Sequence, residues 1–183
     1  MTNQIRKFIV LLLILSMAIP FTASAAPDEP VTFTILHTND FHGQLEPSGS
    51  NPGMARVAKV VNDIRTAVGA ANVLLVDAGD EMQGSLLSNL QKGKPVIATY
   101  NAMGYAVATF GNHEFDWGKD VLIERVGEAG FPYVTANIVV NDTGNCATAG
   151  WTTPSFAQPF VVKTVNGVKV GFTGVTSQET PTI

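Results

Sequence analysis

Hydrophobic positions along the chain switch repeatedly between the spacing of a strand and the spacing of a helix. Residues 31–36 alternate β-branched and aromatic side chains with threonine, which predicts a strand. Helical spacing follows from Met54 to Val68, and Gly69 is placed to end that helix. The alternation then continues. It predicts strands at 73–77, 106–110 and 133–139, and helices around 96–103 and at 119–129.

This order of elements predicts an α/β fold. Strands that alternate with helices form a parallel sheet with helical crossovers. Residues 141–159 are rich in Gly, Pro, Asn and Thr and predict a long surface loop. Beyond it, Asn166-Gly167 lies between two apolar segments and predicts a tight antiparallel hairpin. We therefore expect a layered fold with mixed sheets flanked by helices, present here only in part.

The first 26 residues predict a signal peptide. Arg6 and Lys7 form a basic start, residues 8–21 are almost wholly apolar, and Ala23-Ser24-Ala25 is a pattern that signal peptidase accepts. An uncleaved membrane anchor is the alternative, but the apolar run is shorter than the about 20 residues that span a bilayer. We expect an exported protein, periplasmic, on the cell surface or extracellular, with no membrane span after cleavage.

Charge and cysteine content limit the partners. The formal net charge is -4, and no cluster of Lys and Arg is present to follow a phosphate backbone. Polymeric nucleic acid is therefore not an expected partner. Cys146 is the only cysteine, so the chain cannot form an internal disulfide. Because no histidine stands near it in sequence, we expect a packed or loop thiol rather than a catalytic one.

Three polar clusters each follow a predicted strand. They occupy residues 37–42, 79–85 and 111–116. In an open parallel sheet the carboxyl ends of neighbouring strands meet at one edge, where ligands bind. Residues that are far apart in sequence are therefore expected to form one site.

The side chains in these clusters predict a metal site. Asp40, His42, Asp80 and Asn112 form a mixed oxygen and nitrogen set without thiolate, which suits manganese, iron, zinc or magnesium. Two carboxylates at one place repel each other unless a cation lies between them. The alternatives are that the two aspartates cap the following helices and that the histidines are ordinary turn residues. Caps do not require the histidines, so the metal site is the favoured interpretation.

The clusters also resemble a known family. Asp40-x-His42, Gly79-Asp80 and Gly111-Asn112-His113-Glu114 resemble the signature of the calcineurin-like metallophosphoesterases. The longer segments 35–43 and 111–118 are similar to the secreted 5′-nucleotidase and nucleotide-sugar hydrolase family within that group. The resemblance implies that residues 27–183 are the N-terminal part of such a domain. It also implies a phosphoester hydrolase, with a 5′-nucleotidase for extracellular nucleotides as the leading expectation.

The resemblance further implies roles for the metal-binding residues. Asp40 and His42 would hold a first divalent ion, and Asn112 would bind a second. Asp80 would bridge the two, since a carboxylate has two oxygens. A hydroxide held by both ions would attack the phosphorus.

His113 and Asp116 would complete the reaction, according to the same resemblance. His113 would stabilise charge on the phosphate or protonate the leaving oxygen, and Asp116 would orient its imidazole. The rival hypothesis is a non-catalytic exported module that binds metal or a partner, but such a module has no need of this pair. Related cyclic-nucleotide, nucleotide-sugar and thiosulfohydrolase-like enzymes share the three blocks, so the substrate stays open.

The other residues of the clusters are expected to support the site. Phe115 and Trp117 should pack beneath it, and His37 should be structural or lie behind the ligands. Glu81 and Glu114 are expected either to be solvated or to support the ligands. The family completes its metal sites with histidines far downstream, whereas this chain has three histidines and none after His113. We therefore expect a fragment of a longer protein, nearly inactive by itself.

Overall fold

A computed structural model of the protein describes residues 30–141 and 150–177. The strands and helices, in chain order, are β1 (Thr34–Thr38), α1 (Met54–Val68), β2 (Val73–Asp77), α2 (Leu86–Leu90), α3 (Lys94–Met103), β3 (Val107–Thr109), α4 (Lys119–Glu128), β4 (Tyr133–Val134), β5 (Val161–Val165) and β6 (Val168–Phe172). The first four strands form one sheet in the order β1-β2-β3-β4, and every neighbouring pair is parallel. The predicted parallel α/β core is confirmed.

The sheet and helices α1, α3 and α4 share one hydrophobic cluster. In α1, Met54 and Val61 are buried at a spacing of about two helical turns. Leu75 from β2, Ile97 from α3 and Leu122 from α4 are each 1% exposed. Full burial of a side chain of this size stabilises the fold by about 1.5–3 kcal/mol. The edge of the sheet that carries the polar clusters therefore rests on a packed core.

Strands β5 and β6 form the predicted hairpin. They pair antiparallel, with Val165 opposite Val168. The two residues between them, Asn166 and Gly167, have φ values of 47° and 80°. Positive φ at both central residues is the requirement of a type I′ turn, whose twist matches that of the strands it joins. The antiparallel pair makes the fold a mixed α/β structure, as predicted.

The start of β1 differs from the prediction. The strand was expected at residues 31–36 but occupies Thr34–Thr38. Its partner β2 begins at Val73, which lies opposite Thr34, so the residues before Thr34 have no partner in β2. The shift carries β1 up to the first polar cluster. β2 and α1 have their predicted bounds, and β3 and α4 agree within one residue at either end.

The end of β4 also differs. The strand was predicted to continue to residue 139 but stops at Val134. The next N–H group, that of Thr135, donates instead to the carbonyl of Gln158 at 2.8 Å. The Ile138 N–H donates to the Thr135 hydroxyl, which turns the chain. Alternating hydrophobic residues beyond 134 therefore belong to an irregular segment.

Helix α2 was not predicted. Ser85 caps its N-terminus, and the Ser85 hydroxyl accepts the Ser88 N–H at 3.3 Å. A serine before an apolar segment is an N-cap signal, but five residues are too few to show helical periodicity. A second short turn, at His113–Phe115, is a 3-10 helix and was also missed.

Several sequence-based expectations lie outside the described residues. They include the signal peptide at residues 1–26 and the environment of Cys146. Among the helices that are described, none has the length and hydropathy needed to cross a bilayer.

Candidate metal centre

Backbone pairing continues past the ends of β1 and β2 into the first two polar clusters. The Asp40 N–H donates to the carbonyl of Gly79 at 3.0 Å, and the His42 N–H donates to the carbonyl of Asp80 at 2.9 Å. The Gly43 N–H then donates to the carbonyl of Glu81 at 2.8 Å. Three of the predicted ligands therefore leave the sheet on two segments that are held side by side.

The side chains of Asp40, His42 and Asp80 converge on one point. One ligand atom from each lies within 4.8 Å of the other two. His42 Nδ1 is 2.8 Å from the carbonyl oxygen of Gln83. Because a carbonyl oxygen only accepts, Nδ1 carries the proton and Nε2 keeps a lone pair for a metal ion. This nitrogen and two carboxylates fit a divalent cation, which would also offset the repulsion between the carboxylates.

The same three residues have a left-handed backbone. The φ values are 50° for Asp40, 50° for His42 and 57° for Asp80. Such a conformation costs a residue other than glycine on the order of 1–3 kcal/mol and is found preferentially at functional sites. Neither aspartate caps a helix, since the residues before α1, α2, α3 and α4 are glycines or Ser85. The alternative that these aspartates are helix caps is wrong.

The third cluster is attached to the first two through Asp80. The His113 N–H donates to Asp80 Oδ1 at 2.9 Å. The rings of His42 and His113 meet edge to face, with 5.3 Å between their centroids. Asn112 is half-buried and directly precedes His113 in the same turn. The structure thus brings the three clusters to one edge of the sheet, as the sequence predicted.

His113 is oriented by Asp116. Its Nδ1–H donates to Asp116 Oδ2 at 2.9 Å, which leaves Nε2 as the nitrogen available to a substrate. The side chain of His113 remains 37% exposed. The hydrogen bond to Asp116 raises the pKa of His113 above its ordinary value, partial burial opposes this, and the charges of Asp116 and Asp80 add to the rise. The imidazolium form, which can donate a proton, is therefore favoured.

Two glycines allow the second and third clusters to approach each other. Gly79 has a φ of 98°, and a Cβ there would clash with the backbone of Gly111. A Cβ on Gly111 would in turn clash with the carboxylate of Asp80. Any side chain at either position would push Asp80 and the His113 turn apart.

Glu114 was expected to be solvated or to support the ligands, and the structure excludes solvation. It is 1% exposed and lies behind the ligand loops, where its carboxylate accepts backbone N–H groups. Burial raises the pKa of Glu114, and N–H donors from Asp80, Gly111 and Met82 oppose that rise. Glutamate is rarely buried without partners, and the backbone N–H groups provide the partners that Glu114 needs here.

Two further acids are buried under the site. Glu81 is fully buried and accepts a hydrogen bond of 2.5 Å from the Tyr133 hydroxyl. Burial raises the pKa of Glu81 well above its ordinary value, and repulsion from Glu114 and Asp77 adds to the rise. Asp77 at the end of β2 accepts hydrogen bonds from the hydroxyls of Thr38 and Tyr100, at 2.5 and 2.9 Å. Sequence reasoning placed Asp77 in a strand but gave it no role.

Asp77 is expected to make the metal-free protein less stable as the pH rises. Burial raises its pKa from 3.8 to about 7, although hydrogen bonds from Thr38, Gly79 and Tyr100 oppose the change. A raised carboxyl pKa contributes stability that is fully present below pH 3.8 and is lost as the pH rises through about 7. The free energy of unfolding should fall by about 4 kcal/mol over that window from this group alone.

Denaturant unfolding of the full-length protein in a chelator, at pH 5 and at pH 8, measures this effect. Asp77→Asn should reduce the difference between the two pH values, because the amide cannot ionise. Asp63→Asn is the matched control, since Asp63 is 61% exposed beside Lys59 and should leave the difference unchanged. An Asp77→Asn variant with the wild-type pH dependence would contradict the prediction.

The aromatic residues of the third cluster pack as predicted. Phe115 and Trp117 are half-buried and lie against the main hydrophobic cluster. Phe115 contacts Phe110 at the end of the sheet, with 6.1 Å between ring centroids. His37 is exposed on β1 and belongs to neither the ligand group nor the core.

The fold and the site together define a class of protein. The family model of the calcineurin-like phosphoesterases matches residues 33–171, a range that holds all three clusters. The chain belongs to the calcineurin-like phosphoesterase family. The predicted resemblance is confirmed, and divalent metal ions are the cofactors of this class.

Individual relatives point to a narrower group. The chain is 38% identical to the 5′-nucleotidase of Bos taurus over 164 residues, which are 83% of this chain and 27% of that protein. The solved 5′-nucleotidase precursor of Thermus thermophilus matches with a TM-score of 0.66 and 32% identity, over 80% of this chain and 29% of that one. A solved calcineurin-like phosphoesterase of Bacillus subtilis matches with a TM-score of 0.63 and 30% identity, over 81% of this chain and 49% of that one. The chain therefore spans less than a third of the bovine relative.

Proposed function

We propose that the full-length protein carrying this chain is a metal-dependent 5′-nucleotidase that hydrolyses nucleotide monophosphates outside the cytoplasm. The observation that carries the proposal is the convergence of Asp40, His42 and Asp80 within 4.8 Å beside an oriented histidine. The similarity to the bovine 5′-nucleotidase supports nucleotides as the substrate class. The predicted signal peptide supports action outside the cytoplasm.

The proposed cofactor is a pair of divalent cations, drawn from manganese, zinc, iron and magnesium. When bound, they would supply Lewis-acid chemistry toward a phosphoryl oxygen and a water molecule. Asp40, His42 and Asp80 would hold one ion, and Asn112 would contribute to a second ion beside Asp80. The N–H of His113 fixes the orientation of the Asp80 carboxylate by donating to Oδ1.

His113 acts on the phosphate in this proposal. Its Nδ1–H is engaged by Asp116, so Nε2 is the atom that meets the substrate. In the imidazolium form Nε2–H donates to a phosphoryl oxygen or passes its proton to the leaving oxygen. The hydrogen bond to Asp116 raises the pKa of His113 and so favours that form. Asp116 thus keeps the ring in the tautomer and orientation that the reaction needs.

Asp80→Ala in the full-length protein tests the proposal. The variant removes the shared ligand, so metal content and hydrolysis of a nucleoside 5′-monophosphate should fall together, by about 10- to 100-fold or more. Metal content is measured by elemental analysis of the purified protein, and phosphate release is assayed with manganese, zinc or magnesium added. Asp120→Ala is the control, because Asp120 is an exposed acid in the first turn of α4 and is not one of the proposed ligands.

Three outcomes would contradict the proposal or part of it. An Asp80→Ala variant with normal metal content and turnover would remove Asp80 from the site. A wild-type protein that binds metal but hydrolyses no phosphoester would favour the non-catalytic exported module. Activity recovered from the cytosol, rather than from the medium or the periplasm, would overturn the proposed location.

A further inference from the structure

One carboxylate, that of Glu114, is shared between two loops of the site. Its Oε2 accepts the N–H groups of Asp80 and Gly111, at 2.8 and 2.7 Å. Its Oε1 accepts those of Glu81 and Met82, at 3.0 and 3.3 Å. A carboxylate has about four lone-pair positions, and backbone donors occupy all four. Glu114 therefore joins the loop after β2 to the loop after β3.

The first of these loops is shaped to receive an anion. Three consecutive N–H groups, at residues 80–82, point at Glu114, and Asp80 has the left-handed backbone that such a concave arrangement uses. Since Glu114 is 1% exposed, water does not compete for these bonds. The carboxylate of Glu114 occupies the position that an anion would take in this loop. Its hydrogen bonds hold Asp80 in the left-handed conformation.

The connection between the loops is reciprocal. Asp80 Oδ1 accepts the N–H of His113, while Glu114, the next residue, accepts the N–H of Asp80. We infer that Glu114 is a positioning residue, which sets the separation of Asp80 from the His113 turn before any metal binds. This inference rests on the proposed function, because it concerns how the ligand and the proposed acid are placed.

Glu81 provides the comparison that separates positioning from core stability. It is as deeply buried as Glu114, but among the described residues its carboxylate accepts hydrogen bonds from the Tyr133 hydroxyl and from its own backbone N–H, and none that joins the loop after β2 to the loop after β3. Its Oε2 has no hydrogen-bond partner among the described residues. Replacing the Glu81 carboxyl group by an amide should therefore alter the core without releasing Asp80 from Glu114.

Manganese titration of the chelator-treated full-length protein tests the inference. Glu114→Gln turns one accepting oxygen into an NH₂ group that faces N–H donors. Its affinity for Mn²⁺ should fall by about 10- to 100-fold, the range seen when groups behind metal ligands are changed. Amide hydrogen exchange at residues 80–82 and 111 should accelerate in the metal-free variant. Glu81→Gln should leave the affinity and the exchange of the amides of residues 80, 82 and 111 close to wild type.

Equal losses of Mn²⁺ affinity in the two variants would assign Glu114 to general core stability and overturn the inference. Unchanged affinity and exchange in Glu114→Gln would also overturn it. If Glu114→Gln does not fold, amide hydrogen exchange in the metal-free wild-type protein tests the inference instead. Slow exchange at the four amides supports the positioning role, and rapid exchange until Mn²⁺ is added rejects it. A wild type that binds no Mn²⁺ rejects the proposed function instead, while its exchange rates still test the link between the loops.

Discussion

Replacing His113 by alanine in the full-length protein is expected to lower kcat for a nucleoside 5′-monophosphate by about a hundred- to ten-thousand-fold. In the proposed reaction the imidazole acts on the phosphate through Nε2, because Asp116 engages Nδ1. Metal content should stay close to that of the wild type, since His113 contacts Asp80 through its backbone N–H, which alanine retains. The expected result is thus a loss of turnover without a loss of metal.

A second variant tests the role of Asp116, and a third serves as a control. Asp116→Asn should lower kcat less than His113→Ala does, and it should shift the pH profile to lower pH, because the charge that raises the pKa of His113 is removed. His37→Ala is the matched control, as it deletes an exposed histidine outside the ligand group. If His113→Ala lost its metal ions, His113 would be a ligand and the proposed role would be wrong.

The isolated chain, residues 27–183, is expected to show almost no turnover beside the full-length protein. Asp40, His42 and Asp80 can gather one cation, whereas among the described residues the proposed second ion would have only Asp80 and Asn112. Two protein ligands hold a transition ion weakly against water. Without the second ion, the stabilisation of the attacking and leaving oxygens by a metal pair is lost.

The two proteins should be compared at equal concentration with manganese, zinc or magnesium, and circular dichroism should establish that the isolated chain is folded. Low solubility is also expected, since Ile35, Phe160 and Val162 are 44%, 61% and 52% exposed. One bound metal per folded chain with little phosphate release would match the expectation. Comparable specific activity would show that the ligands in this chain suffice.

The position of the candidate site could be predicted from the sequence because the ends of the strands are easy to recognise. Apolar residues at 73–77 fix β2, and a parallel neighbour must then bring its own carboxyl end to the same edge. That reasoning placed Asp40 beside Asp80 without any knowledge of side-chain contacts. Gly79, directly before Asp80, has a φ of 98° and allows the sharp turn out of the strand.

The residues that sequence reasoning missed depend on contacts between distant segments. Nothing near Glu114 in sequence shows that the N–H groups of residues 80–82 will face it. Helix α2 was missed because its five residues are too few to show helical periodicity. The predicted β4 was too long because the Thr135 N–H pairs with Gln158, in the loop before β5, rather than with a neighbouring strand of the sheet. Each error arises where tertiary hydrogen bonding, rather than side-chain periodicity, decides the conformation.

The left-handed backbone at Asp40, His42 and Asp80 has a consequence for protein engineering. Glycine adopts this conformation without steric cost, so a redesign guided by folding free energy alone would favour glycine at all three positions. Each such change would delete a proposed metal ligand. Folding stability and the proposed metal binding therefore make opposite demands on these residues, and a stabilised variant of this protein must be sought elsewhere in the chain.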